Sequence, residues 1–163
     1  MKIGVIADTH IPVSARELPQ KVYDYFSGCD LIIHAGDAVE MSVIEKLNAI
    51  AETRAVRGNM DSLEVRKRLP EKLVLKAGGK SIGVTHGTGS AFKVKEAALA
   101  AFSEKMDIII FGHSHVPFNE TIDGTLFFNP GSATDRVFAR YRSFGVIEIE
   151  GDDIKARIIK IDD

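Results

Sequence analysis

Asp8-Thr9-His10, Gly36-Asp37, Gly58-Asn59, His86-Gly87 and Gly112-His113-Ser114-His115 gather two carboxylates, one amide and four of the five histidines into five short groups. Carboxylate, amide and imidazole are oxygen and nitrogen donors suited to Mn, Fe or Zn, and unlike the thiolates of a soft copper or iron–sulfur site. Seven donors exceed what one four-coordinate ion needs. They suit two ions if one carboxylate bridges, and cations roughly 3.5–4 Å apart form the clamp of phosphoester hydrolysis. Asp8 and His10 stand two residues apart, so an extended backbone would aim both to one side, and His113 and His115 share that spacing. A histidine taken singly is more often a satisfied core or surface residue. That bland reading is hard to hold when four of five fall in such groups.

Every group follows an apolar run that reads as a buried strand: residues 3–7, 31–33, 53–57, 81–85 and 107–111. The carboxyl edge of such strands is where ligands bind in open α/β sheets, because the loops converge there. Between the first runs, Pro19 opens a helical pattern with Val22, Tyr25 and Phe26 on one face, stopping at Gly28. Ser42 is placed to cap a helix carrying Val43, Ile44, Leu47 and Ile50. This alternation predicts βαβ units and a largely parallel sheet. Residues 72–76 and 81–85 form a hairpin around Gly78-Gly79, and an alanine-rich helix spans 92–104. The tail (118–122, 125–128, 143–150 and 154–161) is expected to be largely antiparallel.

The chain has 163 residues without repeats, linkers or low-complexity segments, and reads as a single domain over 1–163. Twenty-one basic against 23 acidic residues leave a formal charge of -2, so no field draws it to long nucleic acid or an anionic membrane. Cys29 is the lone cysteine, which excludes an internal disulfide and a cysteine-based zinc framework. Only five residues separate Lys2 from Asp8, too few for the apolar region of a signal peptide, and no stretch approaches a membrane span. The expected location is the cytoplasm.

D-x-H, G-D, G-N, H-G and G-H-x-H, in that order from Asp8 to His115, resemble the calcineurin-like metallophosphoesterase superfamily. The short length and Asn129-Pro130-Gly131-Ser132 are similar to its small single-domain phosphodiesterase branch of bacteria and archaea. The resemblance implies an α/β fold, two mixed β-sheets packed face to face with helices on the outer faces. It implies Asp8, His10 and His115 as ligands of a first metal, and Asn59, His86 and His113 of a second, with Asp37 bridging. Asp37, Asn59 and His86 would also serve catalysis. The cofactors implied are two divalent ions, manganese first, with nickel, zinc or iron as alternatives. The expected function is hydrolysis of a small phosphodiester by a hydroxide held on the dinuclear centre. A nucleotide or cyclic nucleotide is a candidate substrate, and homo-oligomers stay open. The alternatives are a phosphomonoesterase, or a catalytically weak scaffold, as in a retromer subunit of this fold; intact ligand positions favour the enzyme.

One departure stands out. Many members carry histidine after the G-N asparagine, where it is thought to help the leaving group, and here that residue is Met60. Asp61 reads as a turn or helix-cap residue first, and as an aid to the leaving group second. His34, just before Ala35-Gly36-Asp37, reads as buried and hydrogen-bonded, with ligand orientation as the lesser role. Arg66-Lys67-Arg68 reads as a solvated face before an attractor of anions. Asn129–Ser132 reads first as a turn and second as a loop bordering the site. Arg136 and Arg140 could touch a phosphate, but no pattern sets their direction.

Overall fold

The computed structural model describes residues 1–90 and 93–162. Ten strands and four helices follow in the order β1 (Lys2–Ile6), α1 (Gln20–Phe26), β2 (Leu31–Ala35), α2 (Met41–Asn48), β3 (Thr53–Val56), α3 (Leu63–Arg68), β4 (Lys72–Ala77), β5 (Lys80–Thr85), α4 (Val94–Ala100), β6 (Ile108–Ile110), β7 (Phe118–Ile122), β8 (Thr125–Asn129), β9 (Ser143–Glu150) and β10 (Asp153–Lys160). They form two five-stranded sheets, β10-β9-β1-β2-β3 and β4-β5-β6-β8-β7. Both sheets are mixed. In the first, β1 pairs in parallel with β2, and β2 with β3, while β9 and β10 are antiparallel.

The alternation of side chains along each strand builds three apolar layers. Ile3, Val5, Ile33, Val84, Ile110 and Phe128 fill the space between the sheets. Ile6 and Ile32, on the opposite faces of their strands, pack with Val22, Phe26, Leu47 and Val65 from α1, α2 and α3. Ile109, Phe111 and Phe127 meet Val94 and Ala98 of α4 on the other outer face. The α/β sandwich is therefore as expected, and each fully buried Ile or Phe contributes roughly 1.5–3 kcal/mol.

Two local expectations are corrected, and two features go beyond them. The cap of α2 is Glu40 rather than Ser42, whose hydroxyl donates to the Glu40 carboxylate instead. The alanine-rich helix stops at Ala100, because Phe102 turns its ring onto β5 over Gly83; Phe92, where it was expected to begin, lies outside the described residues. Helix α3 leaves no period in the sequence, having six residues and one buried apolar side chain, Val65. The tail pairs largely antiparallel, as expected, but divides between the two sheets. Strands β7 and β8 join the second sheet, where β8 runs parallel to β6, and β9 and β10 complete the first. Among the described residues, no helix is long and apolar enough to cross a membrane.

Candidate metal centre

All five donor groups emerge at the carboxyl ends of β1, β2, β3, β5 and β6. Those ends lie on one edge of the two facing sheets, so the loops meet over the core. The backbone there is not extended as the two-residue spacing suggested. Among the described residues, seven non-glycine residues have positive φ, and five are Asp8, His10, Asp37, His113 and His115 (51°, 43°, 59°, 70° and 56°). This conformation costs roughly 1–3 kcal/mol per residue and persists only where the surroundings enforce it. Here the enforcement is visible. The amides of Asp8 and His10 donate to the carbonyls of Gly36 and Asp37, and the His113 amide donates to the Asp8 carboxylate at 3.0 Å. Gly58 and Gly112 permit the approach. A Cβ at Gly58 would collide with the Asp37 carboxylate, and one at Gly112 would lie 2.9 Å from Asp8 Oδ2.

The donor atoms converge. Asp8 Oδ1 lies 3.4 Å from His115 Nε2, 3.8 Å from His10 Nε2 and 3.9 Å from His86 Nε2. Asp37 Oδ2 lies 3.2 Å from His86 Nε2 and 3.7 Å from His10 Nε2. Two sets, Asp8 with His10 and His115, and Asp8 with Asp37 and His86, each keep their ligand atoms within 4.8 Å of one another. Asn59 Oδ1 joins His86 Nε2 at 3.1 Å and His113 Nδ1 at 3.0 Å, while His113 Nε2 faces the Gly89 carbonyl at 2.8 Å. His113 thus stands beside Asn59 rather than the carboxylates.

The imidazole orientation tests whether this donor set fits a cation. His86 Nδ1 donates to the Ala35 carbonyl at 2.9 Å, and His115 Nδ1 bonds Asp135 Oδ2 at 2.5 Å. With the proton on Nδ1, each ring turns the lone pair of Nε2 into the cluster, as metal-binding histidines do. Both carboxylates are almost fully buried, Asp8 at 0% and Asp37 at 2% exposure, with no lysine or arginine paired to either among the described residues. Such charges need protons or cations beside them. The donor set fits a divalent metal.

Burial by itself would lower the pKa of His86, but the Asp37 hydrogen bond and the charges of Asp8 and Asp37 outweigh it and raise it to about 9. Burial is likewise overcome at His115 by Asp8 and Asp135, again to about 9. Asp37 moves the other way: burial opposes its ionisation, and the His86 hydrogen bond wins and lowers its pKa. The charged histidines stabilise the metal-free fold fully below about pH 6.5, and that contribution is lost as pH rises through about 9. A divalent ion must displace these protons. Titration of metal-free protein with Mn²⁺ at pH 7.5 is therefore expected to release about two protons per chain, falling toward none above pH 9. Calorimetry in two buffers of different ionisation enthalpy measures this, and heats independent of buffer would exclude it.

A family profile for the calcineurin-like phosphoesterase superfamily domain matches residues 1–152. The chain belongs to that superfamily. A probable metallophosphoesterase of Methanocaldococcus jannaschii is 41% identical over 136 residues, covering 82% of this chain and 69% of the relative. A phosphodiesterase of the same archaeon is 29% identical over 147 residues, covering 80% and 83%. The structure of wild-type Vps29 of Entamoeba histolytica complexed with Zn²⁺ matches with a TM-score of 0.75 at 26% identity, covering 98% of this chain and 99% of that one. Calcineurin-like phosphoesterases use divalent metals, which agrees with the donor set.

Residues outside the superfamily motifs hold this centre in place. Asp135, 5% exposed, bonds His115 through one oxygen and accepts the amides of Val137 and Phe138 with the other. Sequence reasoning missed it, since nothing at position 135 announces a partner twenty residues back. Replacing Asp135 with asparagine is expected to weaken Mn²⁺ binding about 10–100-fold in the same titration. Unchanged affinity would exclude the role. Asp61 is neither a helix cap nor a simple turn residue. Its carboxylate accepts the amides of Asp37, Val39 and Gly58, tying the second loop to the third, and Ser62 caps α3. His34 is fully buried and donates to or accepts from the Thr9 hydroxyl at 3.0 Å; its Nδ1 has no hydrogen-bond partner among the described residues. Burial lowers its pKa to about 4, so it is neutral at pH 7. Asn129–Ser132 borders the site. Asn129 donates to the Gly112 carbonyl, and the Ser132 hydroxyl donates to the Asp8 carbonyl. Arg136 and Arg140 are exposed.

Proposed function

We propose that this chain is a metal-dependent phosphodiesterase acting on a small phosphodiester, built as a single domain over residues 1–163. Asp8, His10 and His115 would hold one divalent cation, and Asn59, His86 and His113 a second, with Asp37 between them. The observation that carries this reading is the convergence of Nε2 atoms and carboxylate oxygens around Asp8 and Asp37. Bound cations would supply Lewis acidity for the phosphoryl oxygens and lower the pKa of water toward neutrality. The chain itself lowers the pKa of Asp37 through the His86 hydrogen bond and holds His86 and His115 in the tautomer that directs Nε2 inward. Attack by water activated on the cations is the expected course. Manganese is the first choice among cations, before nickel, zinc and iron, and neighbours in the divalent series compete for these same donors.

The phosphodiesterase relative supports a diester over a monoester. The Vps29 likeness supports a second reading, a scaffold that binds protein partners. One experiment separates them. Protein stripped of metal and then supplied with Mn²⁺, Ni²⁺, Zn²⁺ or Mg²⁺ is assayed on bis(p-nitrophenyl) phosphate and p-nitrophenyl phosphate. Metal-dependent cleavage favouring the diester is expected. No cleavage with any ion supports the scaffold, and preference for the monoester overturns the diesterase reading.

A further inference from the structure

A cleft of about 470 Å³ opens directly beside the donor cluster, sharing Asn59 and His86 with it and lined further by Arg57, Arg66, Lys72 and Thr88. Its size falls within the range of small-molecule sites, roughly 300–1,000 Å³. The walls come from three separate elements: Arg57 follows β3, Arg66 belongs to α3, and Lys72 opens β4. Their charges do not cancel. Arg57 is matched across the wall by Glu71 at 2.5 Å. Lys72 donates to the neutral Ala101 carbonyl, at 2.8 Å. Arg66 donates from Nη2 to the Asn59 carbonyl, also neutral. Two cations therefore face the cleft without a carboxylate partner among the described residues, in a chain whose formal charge is -2.

The single charge of a scissile phosphodiester belongs at the donor cluster, so the cations of the cleft are additional to what cleavage requires. Arg66 and Lys72 are both exposed to solvent and so open to a second anion carried by the substrate. The Asn59 carbonyl also fixes the Arg66 guanidinium, on the same residue whose side chain touches His86 and His113. A guanidinium has five N–H donors in a planar fork, and one such bond leaves others free for a bidentate grip on phosphate. The three consecutive basic residues are thereby distinguished: Arg66 lines the cleft, whereas Arg68 pairs with Glu64 and Glu45 away from it.

We infer that this cleft is a subsite for a second anionic group of the substrate, a phosphate on the moiety flanking the scissile diester, gripped by Arg66 beside Lys72. The inference rests on the phosphodiesterase reading and narrows it to diesters that carry a further phosphate, such as a phosphorylated nucleotide ester. The test uses a matched pair, thymidine 5′-(p-nitrophenyl phosphate) with and without a 3′-phosphate, which share one leaving group and one scissile bond. In the metal-loaded wild type, the 3′-phosphate is expected to lower KM about tenfold, as a charge-assisted pair of hydrogen bonds would. Arg66→Ala is expected to bring the KM of the 3′-phosphorylated ester up to that of the plain one. Arg66→Lys, which keeps the charge and loses the fork, should retain only part of the difference. Lys67→Ala, a neighbouring exposed cation outside the cleft, should retain all of it. Equal KM values in the wild type, or loss of the difference in Lys67→Ala as well, would overturn the subsite and leave the diesterase reading standing. Cleavage of neither ester would overturn both.

Discussion

Replacing Asp37 with alanine is expected to abolish metal-supported hydrolysis, lowering kcat/KM by about 10³–10⁴-fold. Asp37 is the carboxylate that approaches both His10 and His86, at 3.7 and 3.2 Å, and its other oxygen accepts the Met60 amide at 2.7 Å. Its removal takes away a negative charge between the two proposed cation sites and frees the loop that presents Asn59. Cations contribute several kcal/mol of charge stabilisation in such reactions, and each 1.36 kcal/mol is about tenfold in rate. The fold should survive, because Asp37 stands on a loop past β2, outside the three apolar layers. Its lowered pKa means that its charge stabilises the metal-free fold above about pH 3.8, a contribution lost as pH falls further. Asp37→Asn keeps an oxygen for the Met60 amide and loses the charge, so it separates the two roles. If charge is what matters, both variants are inactive and each binds fewer ions than the wild type, measured as metal content per chain. Wild-type kcat/KM in Asp37→Ala would refute the two-cation account.

The second large effect concerns the leaving group. Met60 follows Asn59 at the mouth of the centre and is 58% exposed. A thioether can neither give nor take a proton, so this position supplies no general acid. General acid catalysis contributes about 10²–10⁴-fold, which is the deficit expected for alkyl diesters beyond their intrinsic disadvantage. Aryl diesters leave as stable phenolates and escape that deficit. Rates across substituted phenyl and alkyl phosphodiesters should therefore fall steeply as leaving-group pKa rises. Met60→His is expected to raise alkyl diester cleavage about 10²-fold and to change p-nitrophenyl esters little. A flat dependence in the wild type would mean that another group already protonates the leaving oxygen.

Both predictions begin in motifs that are plain in the chain, and the reason is local. Apolar runs such as Ile3–Ala7 and Ile108–Phe111 must be buried, strands of that kind end where polar residues begin, and the donors stand at those ends. The strand–helix alternation and the hairpin at Gly78-Gly79 follow from periodicity and turn chemistry within a few residues, and the seven candidate donors are set out by residue type and by the family resemblance. Helix α3 escaped because six residues with one buried side chain show no period. Ser42 suits the cap of α2 by residue type, but the path of the preceding loop puts Glu40 there, without a side-chain cap hydrogen bond.

The rest depended on which distant segments meet. Nothing in the sequences of β7 to β10 names the sheet that receives them, and only packing sends one pair to each. Asp135 reads as one more loop acid until the loop after Ser132 brings it behind His115. Arg57, Arg66 and Lys72 read as scattered surface charge until β3, α3 and β4 converge on one cleft. The sequence by itself determined the donor chemistry and the strand ends that present it, since residue type and short-range backbone geometry suffice for that. Tertiary structure alone decided which atoms hold the ligands in place and where the uncompensated positive charge lies, since hydrogen bonds and electrostatic fields act across space rather than along the chain.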